Sequence, residues 1–294
     1  MNEELVGVEK QIELPDDIFR LFRDMLYEKS GVYLDDNSKL FLENRLQHSV
    51  RRQQFDNFKD YYYFLKYDQK KDEELANFID LLTIHETYFF REEKQLTAFK
   101  EEILPELADR KQKERLLRIW SAGCSTGEEP YTISMLIKEQ DAFKGWDVEI
   151  FGSDISQRVL QSARRGIYQR SAFRSTDPRY MANYFHKEGT AYRIDDRIKE
   201  SVTFLGLNLM DMHKLALISM MDVIFCRNVI IYFDKTAKKK VIEVFYQKLR
   251  DHGYLLLGHS ESLINISTAF ALRHLKHDLV YQKIESAVPG VSKQ

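Results

Sequence analysis

Short apolar runs alternate with helical stretches along the second part of the chain, and this alternation most constrains the fold. The strand-like runs are 116–120, 148–154, 202–208, 222–226, 254–258 and 279–284, and the helical stretches between them include 129–140, 156–165 and 235–250. Runs this short, rich in β-branched and aromatic residues, predict strands. Their alternation with helices predicts a mostly parallel sheet covered on both faces, with the right-handed crossovers of a Rossmann-like α/β fold.

The first hundred residues instead show helical spacing of apolar residues. One helix is expected between Pro15 and Ser30-Gly31, and others near 36–50, 57–67 and 74–83. We therefore expect an all-helical N-terminal domain over 1–83, a linker over 84–114 and an α/β domain over 115–294. A small antiparallel insert is expected within the last of these, at about 186–205.

Composition narrows the classes of protein that fit this pattern. The 294 residues carry 44 Lys and Arg against 46 Asp and Glu, a net charge of −2, so no global basic excess indicates nucleic-acid binding. Two cysteines exclude a disulfide scaffold and fit a reducing compartment. No apolar run approaches the ~18 residues of a membrane span, and the N-terminal residues lack the order of a signal peptide. We expect a cytoplasmic protein without membrane insertion.

A turn of small residues follows the first predicted strand. Residues 121–127 read SAGCSTG, and a helix is expected directly after them. Small residues allow a ligand to approach the backbone closely, and in an open parallel sheet nucleotide-like ligands bind at this first turn. A tight turn without a ligand is the alternative interpretation.

Two acidic residues, Glu128 and Glu129, begin that helix. Carboxylates at a helix N-terminus repel a phosphate but suit an ammonium or a sulfonium. The turn also lacks the full G-x-G-x-x-G spacing of dinucleotide sites. Both features favour S-adenosylmethionine over NAD, although plain stabilisation of the helix dipole by the two acids is an alternative.

Polar residues follow three further predicted strands. Asp154 ends the second strand, where a carboxylate can accept the ribose hydroxyls or cap the next helix. Asn208 and Asp211 follow another strand, and Arg227-Asn228 follow a third. Each of these residues alone is explained equally well by turn chemistry. Together they predict one ligand crevice at the carboxyl edge of the sheet.

Six ordered blocks of the sequence resemble the CheR family, the chemotaxis-receptor glutamate O-methyltransferases, and the similarity runs from about residue 15 to 284. The blocks are HETYFFRE (85–92), WSAGCSTGEEPYT (120–132), FGSDIS (151–156), LNLMD (207–211), FCRNVIIYFD (225–234) and GHSES (258–262). The resemblance implies a helical N-terminal domain that docks the substrate, a linker and an S-adenosylmethionine-binding domain with an antiparallel β-subdomain. It also implies methylation of receptor glutamates, the reaction of sensory adaptation.

The resemblance also implies roles for individual residues. Arg91 and Tyr232 would lie beside the reacting groups as the catalytic pair. The residues implied to bind the cofactor are His85, Thr87, Arg91, Glu129, Asp154, Asn208, Leu209, Arg227 and Asn228. His85 departs from the family, which usually has Asn at this position. Imidazole can replace one amide hydrogen bond, so this departure puts the contact in doubt rather than the activity.

Two features bear on the protein partner. Between Lys39 and Lys71, eight basic residues oppose four acidic ones. Arg45, Arg51 and Arg52 are candidates for docking the acidic methylation region of a helical receptor bundle, and a solvated charged face is the alternative. Some family members also bind a receptor C-terminal peptide through a Gly-rich loop of the β-subdomain. The turn here is short with the single Gly189, so no such docking is expected.

Several competing functions are less consistent with the sequence. An NAD-dependent oxidoreductase conflicts with the two acids after the turn. A non-catalytic S-adenosylmethionine-binding regulator remains an alternative. A nucleic-acid methyltransferase would carry asparagine-proline motifs that this sequence lacks. No metal is expected, because the eight histidines are scattered without ligand spacing, and Cys124 and Cys226 are interpreted as small buried residues.

Overall fold

The computed structural model describes residues 11–284. Contacts divide the chain into two compact units, the first ending at Ile84 and the second beginning at His85. None of the helices within 11–284 combines the length and the apolar character needed to cross a bilayer.

The first unit is helical, as the apolar spacing predicts. Its helices are α1 (Asp16–Ser30), α2 (Lys39–Arg52), α3 (Phe58–Tyr67) and α4 (Lys71–Leu82), with a 3-10 turn at Asp36–Ser38. The predicted stop of α1 is confirmed: Gly31 has φ 77° and its N–H donates to the Tyr27 carbonyl at 2.8 Å. Phe22 lies at the centre of the aromatic core, with its ring centroid 5.4 Å from that of Tyr62 and 5.8 Å from that of Phe78.

The second unit contains two sheets. Its strands are β1 (Leu116–Ala122), β2 (Asp147–Asp154), β3 (Ile167–Gln169), β4 (Phe185–Glu188), β5 (Ala191–Ile194), β6 (Val202–Gly206), β7 (Met221–Cys226), β8 (Leu249–Leu257), β9 (Phe270–His274) and β10 (Leu279–Lys283). The large sheet has seven strands in the order β6-β2-β1-β7-β8-β10-β9. The pairings from β6 to β8 are parallel, and β10 is antiparallel to both of its neighbours. The small sheet is antiparallel in the order β3-β5-β4.

Helices of the second unit pack against these sheets. They are α5 (Glu93–Ala98), α6 (Leu104–Arg110), α7 (Glu128–Lys138), α8 (Gln157–Arg165), α9 (Pro178–Tyr184), α10 (Asp196–Lys199), α11 (Met212–Ala216) and α12 (Lys235–Lys248). A π-helical turn at Phe99–Ile103 joins α5 to α6, and 3-10 turns lie at Asp141–Phe143, Arg170–Phe173 and Ile230–Tyr232. Helices α7 and α8 contact β2 and β6, and α12 contacts β8.

The parallel strands bring their carboxyl ends to one edge of the large sheet. Strands β1, β2, β6 and β7 end at Ala122, Asp154, Gly206 and Cys226. The loops that follow them carry the polar residues singled out in the sequence. This is the edge at which open parallel sheets bind ligands.

The structure differs from the sequence expectation at two boundaries. The small sheet begins at Ile167 and ends at Ile194, whereas the insert was expected at about 186–205. Val202–Gly206 lies outside the insert and pairs with β2 in the large sheet, as the strand-like run 202–208 predicts. The three-residue strand β3 is too short to give a pattern of its own.

The expected linker over 84–114 is also incorporated in the second unit. Residues Leu96, Phe99, Ile103 and Leu107 recur at helical spacing and are fully or almost fully buried in the core of this unit. Burial of this apolar face holds the segment against the sheet. The run is therefore part of the α/β fold from His85 onward.

Candidate active site

The turn after β1 is fixed to the end of the neighbouring strand. The backbone N–H groups of Gly123 and Cys124 donate to the Ser153 carbonyl at 2.7 and 2.9 Å. Gly123 and Gly127 have φ of 81° and 93°, a region that favours glycine. A Cβ on Gly123 would lie 2.4 Å from Cγ2 of Val229. Packing and backbone conformation therefore require these glycines, whatever ligand the turn accepts.

Asp154 links the turn to the second strand. Its carboxylate accepts hydrogen bonds from the N–H of Ser125 at 2.9 Å and of Ser156 at 3.0 Å, and the residue is 7% exposed. Ser156, rather than Asp154, caps α8 by accepting from the Val159 N–H. The helix-cap alternative for Asp154 is thus not what the structure shows, and its ribose contact stays a prediction.

The two acids that begin α7 lie in different surroundings. Glu128 accepts from the Thr126 hydroxyl at 2.7 Å, and burial raises its pKa to about 7. Glu129 accepts from the Ser121 hydroxyl at 2.7 Å. Burial raises the pKa of Glu129 as well, against the opposing charge of Arg227. Neither acid is an exposed group that merely complements the helix dipole.

Arg227 holds together several parts of this edge. Its guanidinium is 2% exposed and lies 3.3 Å from the Glu92 carboxylate and 3.5 Å from that of Glu129, and it donates to the Arg91 carbonyl. Asn228 has φ 59° and donates through Nδ2 to Glu92 at 3.3 Å. Within residues 11–284, Oδ1 of Asn228 is buried without a hydrogen-bond partner. The loop after β7 thus presents one unused acceptor at the edge.

Glu261 is a residue whose role the sequence does not reveal. Its buried carboxylate accepts four backbone hydrogen bonds, from Gly258 at 2.7 Å, Asn228 at 2.8 Å, Val229 at 2.9 Å and Ile231 at 3.1 Å. Burial raises its pKa despite these four bonds. Because all the donors are backbone groups, no residue pattern signals the contact. The only signal was the block GHSES, in which Glu261 is the fourth residue.

The HETYFFR segment (85–91) contains Arg91, and contacts of the two preceding residues hold this segment in the second unit. The N–H of Phe89 donates to the Ala172 carbonyl at 2.9 Å, and that of Phe90 donates to the Thr132 hydroxyl at 3.3 Å. Both aromatic side chains are buried and anchor the segment. Nη1 of Arg91 donates to the Glu86 carbonyl at 2.8 Å. The guanidinium is thereby oriented by its own segment.

Tyr232 and Arg91 lie within electrostatic reach of each other. Burial raises the pKa of the Tyr232 phenol, and the positive charge of Arg91 opposes this rise. The hydroxyl is therefore protonated and can donate a hydrogen bond at neutral pH. Arg91 thus acts electrostatically on Tyr232, and the catalytic roles of the two side chains stay predictions.

The remaining candidates contact the site in different ways. The His85 carbonyl accepts from the Ser125 hydroxyl at 3.0 Å, so its backbone joins the turn whichever side chain is present. Thr87 lines a cleft of about 300 Å³ together with Glu128. Asn208 accepts from the Met210 N–H at 2.8 Å, and Leu209 is 8% exposed. The Asn208 side chain therefore makes a hydrogen bond within its own turn, and its contact with the cofactor stays a prediction.

The arginines expected to dock a partner lie in the first unit. Arg45 is exposed, with its guanidinium 5.4 Å from the centre of the Phe41 ring. Arg52 is paired with Glu74, which is 5% exposed and also accepts from the Tyr61 hydroxyl at 2.7 Å. Arg52 thus forms an ion pair with a buried carboxylate of this unit.

The donor set of the crevice fits a cationic cofactor. The carboxylates at this edge are those of Glu92, Glu128, Glu129, Asp154 and Glu261, and the guanidiniums are those of Arg91 and Arg227. This excess of acids opposes a phosphate, and the unpartnered Asn228 oxygen offers an acceptor to a ligand N–H or O–H. Among residues 11–284, no group of three His, Cys, Asp or Glu is placed to hold a metal ion.

Comparison with known proteins agrees with this geometry. The family description "CheR methyltransferase, SAM binding domain" matches residues 85–279, and "CheR methyltransferase, all-alpha domain" matches 17–83. Chemotaxis protein methyltransferase 2 of Vibrio cholerae is 36% identical over 275 residues, which are 93% of this chain and 95% of that protein. The chemotaxis protein methyltransferase of Borreliella burgdorferi is 37% identical over 254 residues, covering 84% and 88%.

Among solved structures, magnesium protoporphyrin IX methyltransferase from Synechocystis with bound SAM is 14% identical, covering 81% of this chain and 96% of that one. Its TM-score is 0.36. The two family matches together cover most of the sequence. The chain therefore belongs to the CheR methyltransferase family, with an all-helical N-terminal domain and a methyltransferase domain that takes S-adenosylmethionine as its cofactor.

Proposed function

We propose that this protein methylates glutamate side chains of chemotaxis receptors, giving glutamyl methyl esters in sensory adaptation. The observation that carries the proposal is the acidic edge formed by Glu129, Asp154 and Glu261, which suits a cationic methyl donor and at which Arg91 acts electrostatically on Tyr232. A positive charge and a phenol donor are the groups expected to receive an anionic oxygen. The names of the relatives, chemotaxis protein methyltransferases, support the same substrate class.

The reaction requires little acid–base chemistry from the protein. The cofactor supplies a methyl group on a sulfonium. A glutamate with its ordinary pKa of ~4.3 is already a nucleophilic carboxylate at neutral pH, so no general base is needed. Arg91 holds this carboxylate by a charge-assisted contact, and the Tyr232 hydroxyl donates to it and fixes its direction of approach.

Residues on the other side of the crevice hold the cofactor in this proposal. Glu129 faces its positive groups, and Asp154 accepts from its ribose hydroxyls. The other residues assigned to it are His85, Thr87, Asn208, Leu209, Arg227 and Asn228, and Arg91 contacts both the cofactor and the incoming carboxylate. Arg227 also positions the catalytic segment, since it contacts both Glu129 and the Arg91 carbonyl.

Transfer of a labelled methyl group tests the proposal. The protein is incubated with tritiated S-adenosylmethionine and cytoplasmic fragments of chemotaxis receptors, and base-labile label is mapped to residues. We expect methyl esters on glutamates, and turnover reduced about 10²–10³-fold in Arg91→Ala, similar to the loss of one preorganised donor.

The control for Arg91→Ala is Arg165→Ala, which removes an exposed arginine of α8 and should leave turnover unchanged. Equal turnover in Arg91→Ala and the wild type would contradict the catalytic role of Arg91. Tight cofactor binding without transfer to any receptor fragment would contradict the proposal and favour a non-catalytic regulator.

We also propose that α2 docks the acidic region of the receptor through Arg45, Arg51 and Arg52. Arg45 is the sharpest probe, because Arg52 is engaged by Glu74. Arg45→Glu should raise KM for the receptor fragment several-fold at low salt, and the difference should shrink as salt rises. A KM that does not depend on salt would contradict this docking mode.

Binding of a receptor tail peptide is not expected. Strands β4 and β5 are joined by Gly189 and Thr190 alone, with Gly189 at φ 61°. This connection is too short for the Gly-rich loop of peptide-binding family members. Calorimetry that detects tight binding of a C-terminal receptor pentapeptide would overturn the expectation. We place the protein in the cytoplasm, where Cys124 and Cys226 stay reduced as free thiols.

A further inference from the structure

Four lysines lie close together at the start of α12. They are Lys235, Lys238, Lys239 and Lys240, here called the lysine row, and the only acidic residue of this helix is Glu243. The chain as a whole has a net charge of −2. The lysine row is therefore a local concentration of positive charge and not a consequence of composition.

The lysine row does not stabilise the fold through ion pairs. In the part of the chain that the structure describes, no ion pair involves any of the four, and Lys235, Lys239 and Lys240 are exposed. Cations in the first turn of a helix oppose its dipole, and Lys235 and Lys239 are a like-charge pair at four-residue spacing. Helices α1, α4 and α7 instead carry acids in their first turns.

The start of α12 lies at the same edge of the sheet as the crevice, because α12 connects the parallel strands β7 and β8. Helix α12 begins three residues after Tyr232, and three residues span at most about 11 Å. One helical turn from Lys235 to Lys239 adds about 5–6 Å. The Cα atoms of Lys235 and Lys239 therefore lie within about 17 Å of that of Tyr232.

The acids of the crevice oppose the approach of an acidic substrate segment, and lysines at the rim of the crevice can offset this opposition. The carboxyl groups of Glu129, Asp154 and Glu261 suit a cationic cofactor, but in their ionised form they repel an acidic protein segment that approaches the same edge. Exposed lysines at the rim offset this repulsion over a Debye length of about 10 Å at 0.1 M salt. They attract the acidic segment without entering the site.

We propose that the lysine row is a docking surface for acidic side chains that flank the methyl-accepting glutamate in the protein substrate. This proposal rests on the function proposed above and names how its substrate is selected. A helical substrate rises about 1.5 Å per residue, so acids within about ten residues of the acceptor can reach the row. Selection is by charge, and it acts mainly on the encounter rate.

Paired peptides test the docking surface. Each helical peptide has one central glutamate, flanked by four aspartates in one version and by four lysines in the other. The full-length wild type is compared with the double variant Lys235→Glu/Lys239→Glu. At low salt we expect the double variant to lose about tenfold in kcat/KM for the aspartate version and to gain activity on the lysine version.

Two further measurements separate docking from catalysis. Fluorescence anisotropy of each labelled peptide measures binding without turnover, and calorimetry with S-adenosylhomocysteine should give the same Kd in all variants. The matched control is Lys113→Glu, an exposed lysine between α6 and β1, at the opposite edge of the sheet. It makes the same charge reversal and should change neither peptide affinity nor kcat/KM.

The outcomes distinguish this proposal from the one on which it rests. Equal peptide affinity in the wild type and the double variant overturns the docking surface, even when methyl transfer is normal. Loss of binding to phosphatidylserine vesicles with unchanged peptide affinity assigns the row to a membrane and also overturns it. Charge-dependent binding of the aspartate peptide without transfer to it or to receptor fragments retains the docking surface and overturns the proposed reaction.

Discussion

The two ends of strand β7 hold buried charges in different ways. At the amino end, Asp222 is 1% exposed, and both of its oxygens lie 2.6 Å from Nζ of Lys111. At the carboxyl end, Glu261 is satisfied by four backbone N–H groups and by no lysine or arginine that forms an ion pair with it in residues 11–284. The first carboxylate is neutralised by a counterion, and the second is held by dipoles.

The two ways of holding a buried acid suit different roles, one in stability and the other in function. An ion pair cancels the field of its acid, so Asp222 and Lys111 fasten β7 to α6 without attracting a ligand. Backbone dipoles satisfy the hydrogen bonds of an acid but leave its net charge in place. The excess of acids at the carboxyl edge can therefore attract a cofactor that carries positive charge, while the amino edge only holds the sheet together.

Removal of the counterion should have the largest effect on stability. Lys111→Ala leaves the buried Asp222 with only the more distant Arg250 as a counterion, 3.7 Å away, and we expect a loss of about 3 kcal/mol in the free energy of unfolding. The affinity of the folded protein for S-adenosylhomocysteine should not change. Chemical denaturation and calorimetry check the two quantities. Lys113→Ala, two residues away and exposed, should stay within about 0.5 kcal/mol of the wild type. A similar loss in both variants would show that the buried ion pair of Lys111 with Asp222 is not what stabilises the amino end of β7.

Glu261→Gln tests the carboxyl end. The amide keeps one acceptor oxygen but turns an NH₂ group toward two backbone donors, so the loop from Asn228 to Tyr232 should shift. A displacement of about 1 Å near the chemistry can cost about 10²-fold, and we expect kcat to fall about 10–100-fold. The fall should be in kcat with KM for the receptor fragment nearly constant.

The control for Glu261→Gln is Ser262→Ala on the same loop. The Ser262 hydroxyl contacts Ile264 and Tyr281 but none of the residues from Asn228 to Tyr232. Its loss should leave kcat within about twofold. If Glu261→Gln lowers stability but retains wild-type kcat in the folded fraction, Glu261 supports only the fold and does not position the catalytic loop.

Much of the fold could be predicted because its signals are local. Apolar spacing located the four helices of the first unit, and short apolar runs located β1, β2 and β7 within one or two residues. The small sheet was misplaced because its strands are three or four residues long and no long run marks them. Strand β9 was missed since its buried and exposed residues, in FALRH, give little alternation of polarity.

The residues of the site also differ in whether a local sequence signal marks them. Glu129, Asp154 and Arg227 follow strands or begin helices, so topology alone places them at one edge. Arg91 and Tyr232 were expected there only through the family resemblance. Glu261 was marked only as part of the block GHSES, because a carboxylate bound to backbone N–H groups, three of them about thirty residues away, leaves no pattern of residue types. The lysine row was not singled out in the sequence, and the structure shows that its four lysines form no ion pair with the described residues 11–284.

The pH dependence of stability offers the finest test of the comparison. Burial raises the pKa of Glu128 from 4.5 to about 7, so the folded state keeps its proton while the unfolded chain loses it. The stabilisation is complete below pH 4.5, declines as pH rises and is lost above about pH 7, a change on the order of 3 kcal/mol. Glu128→Gln should remove this decline, which denaturation curves at pH 5 and pH 8 measure. Affinity for the cationic cofactor should rise with ionisation of Glu128 in the wild type and stay flat in the variant. Identical pH profiles of stability in the two proteins would show that Glu128 ionises normally and that its burial leaves no excess charge for a ligand.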